Sequence, residues 1–228
     1  MTLTVQASLL DLESDVGGQP GAVPAGTGRS EQPAGDRLGP LAALRRTVLS
    51  PGAWIDVLPG WVRGSDAVFD RLLHQVPWYA DQRQMYERVV TVPRMLSWYG
   101  EGETLPDPVL TAARERLGAH YADELGEPFV TAGLCLYRDG RDSVAWHGDT
   151  IGRSRVEDTM VAIVSLGSPR SLVLRPRGGS LAHRFALGHG DLVVMGGSCQ
   201  RTWEHAVPKT ARAVGPRISV QLRTRGVR

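Results

Sequence analysis

Three side chains have the types and spacing to hold a divalent metal while leaving half of its coordination sphere open. They are His147 and Asp149, written together in WHGD, and His205 in TWEHAVP. Two imidazoles and one carboxylate suit iron(II) in the facial arrangement whose remaining positions accept dioxygen and a bidentate ligand. On a strand or an extended strand end, residues two apart face the same side. His147 and Asp149 can therefore reach one ion while Gly148 points away and permits close approach. An H-x-D pair alone recurs by chance, and the stretch after His205 carries more. In PRISVQLR, Arg217, Ser219, Gln221 and Arg223 alternate with Ile218, Val220 and Leu222, the period-two pattern of a strand with one polar and one apolar face. Two guanidinium groups about 20 Å apart along six residues of strand cannot share one carboxylate. Arg223, the farther one, is expected to grip a distal carboxylate as a planar fork that keeps its charge. Arg217 is expected nearer the metal end. A zinc hydrolase could use two His and a carboxylate, but it would have no need for the arginine pair.

The order H-x-D, a second His about sixty residues on, and R-x5-R starting twelve residues later resembles the AlkB family of iron(II)- and 2-oxoglutarate-dependent dioxygenases. The likeness extends through LCLYRDGRDSVAWHGD, VAIVSLGSPRSLVLRP and LGHGDLVVMGG, and more faintly VPRMLSWYG, over about residues 51 to 225. It implies that His147, Asp149 and His205 hold Fe(II). It also implies that Arg223 pairs with the distal carboxylate of 2-oxoglutarate, that Tyr137 helps hold that co-substrate, and that Arg217 contributes beside them. The implied reaction uses dioxygen to dealkylate N-alkylated nucleobases of the 1-methyladenine or 3-methylcytosine type in DNA or RNA, releasing formaldehyde, succinate and CO2. Three positions depart from the family pattern. Cys135 and Ser219 stand where asparagines are common beside the co-substrate, and Ile151 stands where several members carry an acidic residue facing the damaged base.

The rest of the chain must position these groups. Its 228 residues, 42% hydrophobic and 22% charged, have the composition of an ordinary globular domain. A net charge of +2 is too small to argue for nucleic-acid binding. Residues 200 to 228 hold seven basic groups against Glu204, which a solvated tail end explains equally well. Cys135 and Cys199 lack C-x-x-C spacing, so they indicate buried thiols rather than a zinc ribbon or a disulfide framework. The opening MTLTVQASLLDLESD lacks a basic n-region and a long apolar stretch. A cytoplasmic setting, no membrane contact and a monomer are expected.

Residues 12 to 40 are rich in Gly, Pro, Ala and Ser and cannot bury enough surface to offset the entropy of ordering. We therefore expect a flexible arm over 1–45 and one domain over 46–228. A helix is expected from Ser65 as N-cap to Pro77, and a second from about Pro106 to Leu125, stopped by Gly126. From Phe129 onward, short alternating runs predict strands at 129–137, 143–148, 159–166, 171–175, 181–187, 191–195 and 216–224, with one more near 200–206. The fold class is α+β, mainly β, as an antiparallel barrel or jelly roll. The resemblance specifies a double-stranded β-helix over about 129–225, with helices outside one sheet and a nucleotide-recognition lid at about 78–101.

Within that lid region lie Trp78, Tyr79, Tyr86, Trp98 and Tyr99, interleaved with Arg83, Arg88 and Arg94. Aromatic platforms beside cations hold single strands and flipped bases, although aromatic rings more often build cores. The resemblance makes Tyr99, in SWYG, the first candidate to face a base, followed by Trp98, Trp78 and Arg94. His74 and His120 fit the polar faces of the helices and His183 an outer strand face. His189 is a rival ligand in a glycine turn, where a structural role is favoured. Two other functions compete: a 2-oxoglutarate oxygenase of a non-nucleic-acid substrate, for which the 78–99 aromatics are core, and a non-catalytic nucleic-acid binding module.

Overall fold

The computed structural model describes residues 33–85, 88–150 and 156–227, with side chains from 83 to 90 also left undescribed. Among the described residues, twelve strands form two antiparallel sheets. The larger contains β1 (Arg45–Ser50), β2 (Ala53–Leu58), β3 (Tyr79–Met85), β4 (Arg88–Tyr99), β5 (Thr131–Tyr137), β7 (Val161–Gly167), β10 (Asp191–Gly197) and β12 (Arg217–Arg223). Its spatial order is β1-β2-β10-β7-β12-β5-β4-β3. The smaller sheet runs β6 (Val144–His147), β11 (Trp203–Val207), β8 (Arg170–Pro176), β9 (His183–Leu187). Two sheets with strands crossing between them make the expected jelly roll.

The alternation read in β12 sorts residues between two cores. Ile218, Val220 and Leu222 join Ala132, Leu134 and Leu136 of β5 and Ala162, Val164 and Leu166 of β7 in one core. Helices α1 (Ser65–Gln75) and α2 (Pro108–His120) cover it with Val68, Leu72, Val109, Leu110 and Leu117. Each such fully buried aliphatic side chain contributes roughly 1.5–3 kcal/mol. The opposite face of the larger sheet turns toward the smaller one, where Ile163, Leu172, Leu174, Val193, Met195 and Trp203 form the second core. The polar residues of β12 share that inner face, so the jelly roll is greasy at one end and polar where Arg217, Ser219, Gln221 and Arg223 lie.

The expected strands from 129 onward all occur, with ends shifted by up to three residues. Both helices occur, but their starts differ. Gly64, in the left-handed conformation at φ 59°, is the N-cap of α1, and Ser65 is its first helical residue. Asp107 caps α2 by accepting from the Val109 amide at 2.8 Å, with Pro108 in the first turn. Tyr121 interrupts the second helix, leaving a short α3 (Ala122–Leu125) that Gly126 ends.

The stretch expected as a lid at about 78–101 contains the β3–β4 hairpin, with Met95 to Tyr99 of β4 hydrogen-bonded along β5 as part of the main sheet. One expectation is corrected: the arm is shorter than 1–45. Leu38 and Leu41 are buried in the main core, Leu38 bridges Val62, and Trp61 Nε1 donates to the Gly39 carbonyl at 3.0 Å. The remainder of that arm, residues 1–32, lies outside the described residues.

Candidate metal centre and co-substrate cavity

Antiparallel pairing of β6 with β11 sets His147 directly opposite His205, and their ring centroids stand 4.2 Å apart. Asp149 follows two residues after His147, with a carboxylate oxygen 3.6 Å from His147 Nε2. One ligand atom from each of the three lies within 4.8 Å of the others. His147 Nδ1 is 2.9 Å from the Ala145 carbonyl, so it carries the proton and leaves the Nε2 lone pair for a metal. Burial, with the neighbouring His147, pushes the His205 pKa down to about 3. Its imidazole is therefore neutral at pH 7, as a ligand must be.

Asp149 is 4% exposed. Burial alone would raise its pKa, but Arg223 and the two imidazoles outweigh it and hold the carboxyl at about 2. Its Oδ2 accepts from Arg223 Nε at 3.1 Å and lies 3.0 Å from Nη2. Its amide donates to the side-chain oxygen of Gln200 at 2.9 Å. Gln200 belongs to α4 (Cys199–Thr202) and is 1% exposed. Only glycine fits the middle of WHGD, because a Cβ on Gly148 would lie 2.3 Å from the Gln200 carbonyl oxygen. The close approach it permits is to this backbone.

Behind the three ligand candidates lies a small, partly open cavity. Arg217, Ser219, Gln221 and Arg223 of β12 and Cys135 and Tyr137 of β5 line it. They share a face because Arg217 pairs with Tyr137, Ser219 with Cys135 and Arg223 with Thr131. Gln221 pairs with Gly133, where a Cβ would meet Arg223 Nη1 at 2.6 Å. The Gln221 amide donates to Ser219 Oγ at 2.6 Å, and its oxygen lies 3.7 Å from the Cys135 thiol.

The positions expected of the two arginines relative to the metal end are reversed. Arg223 contacts the metal-binding carboxylate. Arg217 is the deep one, 1% exposed, with Nε donating to Ser165 Oγ at 3.0 Å and its carbon 5.2 Å from the Tyr137 ring centroid. Burial lowers its pKa, which Tyr137 opposes, and its Nη1 has no acceptor among the described residues. Burial, reinforced by Cys135, pushes the Tyr137 phenol up to about 12 against the pull of Arg217, Arg94 and Arg170. The phenol is thus a neutral hydrogen-bond donor at pH 7.

The candidates for holding a base are sorted by strand parity. Trp98 pairs with Gly133 and Leu96 with Cys135, so both share the cavity face. Tyr99 pairs with Ala132 and packs on the helix-covered core instead, so it does not face the site. Trp78 also packs on that core and donates from Nε1 to the Leu73 carbonyl at 3.2 Å. Arg94 lines the co-substrate cavity rather than an outer nucleotide surface. Ile151, Tyr86 and the side chains of Arg83 and Arg88 lie outside the described ones.

Of the other histidines, His74 and His120 are exposed. His183 turns inward, its ring 5.6 Å from Trp203. His189 Nδ1 accepts from the Gly167 amide at 2.7 Å, a structural role. Sequence reasoning missed Gly133, Ser165, Gln200 and Gln221 as parts of the site. Only Gln221 left a signal, since it alternates in phase with both arginines.

A family profile described as 2OG-Fe(II) oxygenase superfamily matches residues 56–225. The chain is 31% identical over 202 residues to alpha-ketoglutarate-dependent dioxygenase alkB homolog 3 of Bos taurus, covering 79% of this chain and 66% of that protein. It is 27% identical over 178 residues to the DNA oxidative demethylase ALKBH2 of Homo sapiens, covering 70% of this chain and 68% of that one. It thus spans just under two thirds of the length of the bovine relative. The solved structure of OsALKBH1 superposes with a TM-score of 0.54 at 12% identity, over 79% of this chain and 100% of that one, a likeness of fold. With a profile match over most of its length and alkB homologues among its relatives, the chain belongs to the AlkB family of the 2OG-Fe(II) oxygenase superfamily.

Proposed function

We propose that this protein is an Fe(II)- and 2-oxoglutarate-dependent dioxygenase that oxidatively dealkylates N-alkylated bases in DNA or RNA. The observation that carries the reading is the convergence of His147, Asp149 and His205 at one end of a cavity whose other end presents an unsatisfied arginine donor. The donor set fits ferrous iron: two imidazole nitrogens and one anionic oxygen on one side of a point, the other side open. Bound there, iron(II) would supply dioxygen activation coupled to oxidative decarboxylation of 2-oxoglutarate, and hydroxylation of the alkyl carbon, which then leaves as formaldehyde.

The chain's own residues bind, orient and exclude water. The Ala145 carbonyl sets the His147 tautomer, and Gln200 and Arg223 fix the Asp149 carboxylate. Arg217 Nη1 and the neutral Tyr137 phenol offer donors to the distal carboxylate of the co-substrate, while Ser219 and Gln221 lie along its path. Apolar walls from Ile163, Leu172 and Val207 keep water from the reacting atoms. The His147 side chain remains 36% exposed, so the metal end is the side a base can approach, with Trp98 on the same sheet face as a surface for stacking. The printed name of the human relative, a DNA oxidative demethylase, supports a nucleic-acid substrate, and we propose that it is held as a single strand or a flipped base.

The test incubates the protein with Fe(II), 2-oxoglutarate and an oligonucleotide carrying 1-methyladenine or 3-methylcytosine. Formaldehyde and a loss of one methyl mass are expected from the wild type and neither from Asp149→Ala. Equal repair by both would overturn the assignment. Conversion of 2-oxoglutarate to succinate with the methyl group intact would move the substrate outside nucleic acid.

A further inference from the structure

Two buried guanidinium N–H groups on residues lining the co-substrate cavity lack an acceptor among the described residues: Nη1 of Arg217 and Nε of Arg94. They come from different strands and meet at Tyr137. Arg217 is the cross-strand partner of Tyr137 on one side of β5. On the other side Met95 pairs with Leu136, so Arg94, one residue earlier, comes alongside Tyr137, whose phenol feels its charge. The β3–β4 register breaks between Ala80 and Gln82, and Pro93 and Arg94 fall inside that irregularity. Arg94 is in phase with Leu96 and Trp98 along β4, and this alternation puts it on the cavity wall. Arg94 Nη1 donates to the Ser143 carbonyl at 3.2 Å, which anchors the guanidinium and leaves Nε unused.

An unsatisfied buried donor is costly, and two beside one cavity suit an acceptor with two oxygens. Neighbouring cations do not compete for it. Arg170, 5.5 Å from the same ring, is satisfied by the carbonyls of Asp139, Asp142 and Pro208, and Arg223 is paired with Asp149. We infer that Arg94 joins Arg217 in gripping the distal carboxylate of the co-substrate, and so makes the site selective for dicarboxylic over monocarboxylic 2-keto acids. The inference rests on the oxygenase reading above.

The experiment is anaerobic calorimetric titration of the Fe(II)-loaded protein with 2-oxoglutarate and with 2-oxopentanoate, which has the same chain length without the distal carboxylate. Arg94→Met is expected to weaken 2-oxoglutarate roughly ten-fold or more, the loss of one charge-assisted hydrogen bond, and to leave 2-oxopentanoate within about two-fold. Arg94→Lys, which keeps the charge but not the fork, is expected to lose part of the same preference and serves if the Met variant does not fold. A merely structural Arg94, acting through Ser143 just before the strand that carries His147, would weaken both acids together, and that result would overturn the inference. Wild-type protein that binds neither acid would overturn the oxygenase reading itself, and this inference with it.

Discussion

Replacing Gly148 by alanine tests whether the metal centre depends on the close approach of two backbones. Gly148 has no positive φ, so the substitution introduces no dihedral strain and its effect comes from one contact. The added Cβ would stand 2.3 Å from the Gln200 carbonyl oxygen, about 1 Å inside ordinary contact. That oxygen cannot swing aside as a side chain would. It belongs to the short α4, whose Gln200 is 1% exposed and accepts the Asp149 amide hydrogen. The strain must be relieved by moving the end of β6 away from α4, which carries Asp149 away from His205. Overpacking of this kind costs about 2 kcal/mol, which for a domain of this size lowers Tm by about 4–8 °C. Loss of orientation at a supporting residue typically costs ~10- to 100-fold in metal affinity. Thermal melting followed by Mn(II) titration reads both. A Gly148→Ala variant that melts within about 1 °C of the wild type and binds Mn(II) equally would refute the reasoning.

Gly133→Ala should behave differently, because its Cβ would meet the end of the flexible Arg223 side chain at 2.6 Å. We expect Tm to stay within about 2 °C while displacement of the guanidinium from Asp149 weakens metal binding by roughly ten-fold or more; a variant that keeps full affinity would show that the Arg223–Asp149 contact is dispensable. The two thiols should separate on alkylation. Burial pushes Cys199 up to about 12, so it carries almost no thiolate below pH 10 and should resist iodoacetamide in the native protein. The half-buried Cys135 lines the cavity and should react first, more slowly once 2-oxoglutarate is bound; peptide mass mapping that finds Cys199 labelled first would contradict this.

The parts legible in sequence were those with local causes. The alternation of β12 gave its two faces because each residue's side is set by the pleat, and the two helices were marked by their apolar stripes and by Gly126. The ligand candidates were readable because a metal with open positions needs few side chains of few types. What failed depended on pairing between distant strands. Arg217 precedes Arg223 in the chain, but which end of β12 lies at the metal is decided by where β6 brings Asp149, and that placed Arg223 there. Trp98 and Tyr99 are neighbours in sequence, and only the register of β4 on β5 sends one to the cavity and the other to the core. The strand character of β4 was hidden by Pro93, which argues against a central strand. It is tolerated where the register breaks, and its carbonyl is taken by the Ser143 amide at 2.8 Å. Gly133, Ser165 and Gln200 act by proximity across 50 or more positions, or across a sheet, and leave no local pattern.

The central claim is that His147, Asp149 and His205 hold one ferrous ion together. Anaerobic titration with Mn(II), followed by electron paramagnetic resonance, tests it most directly: one ion should bind per chain, its signal should change on adding 2-oxoglutarate, and His147→Ala, Asp149→Ala and His205→Ala should each weaken binding severely. An Asp149→Ala protein that is folded and still binds one ion with wild-type affinity would contradict the account.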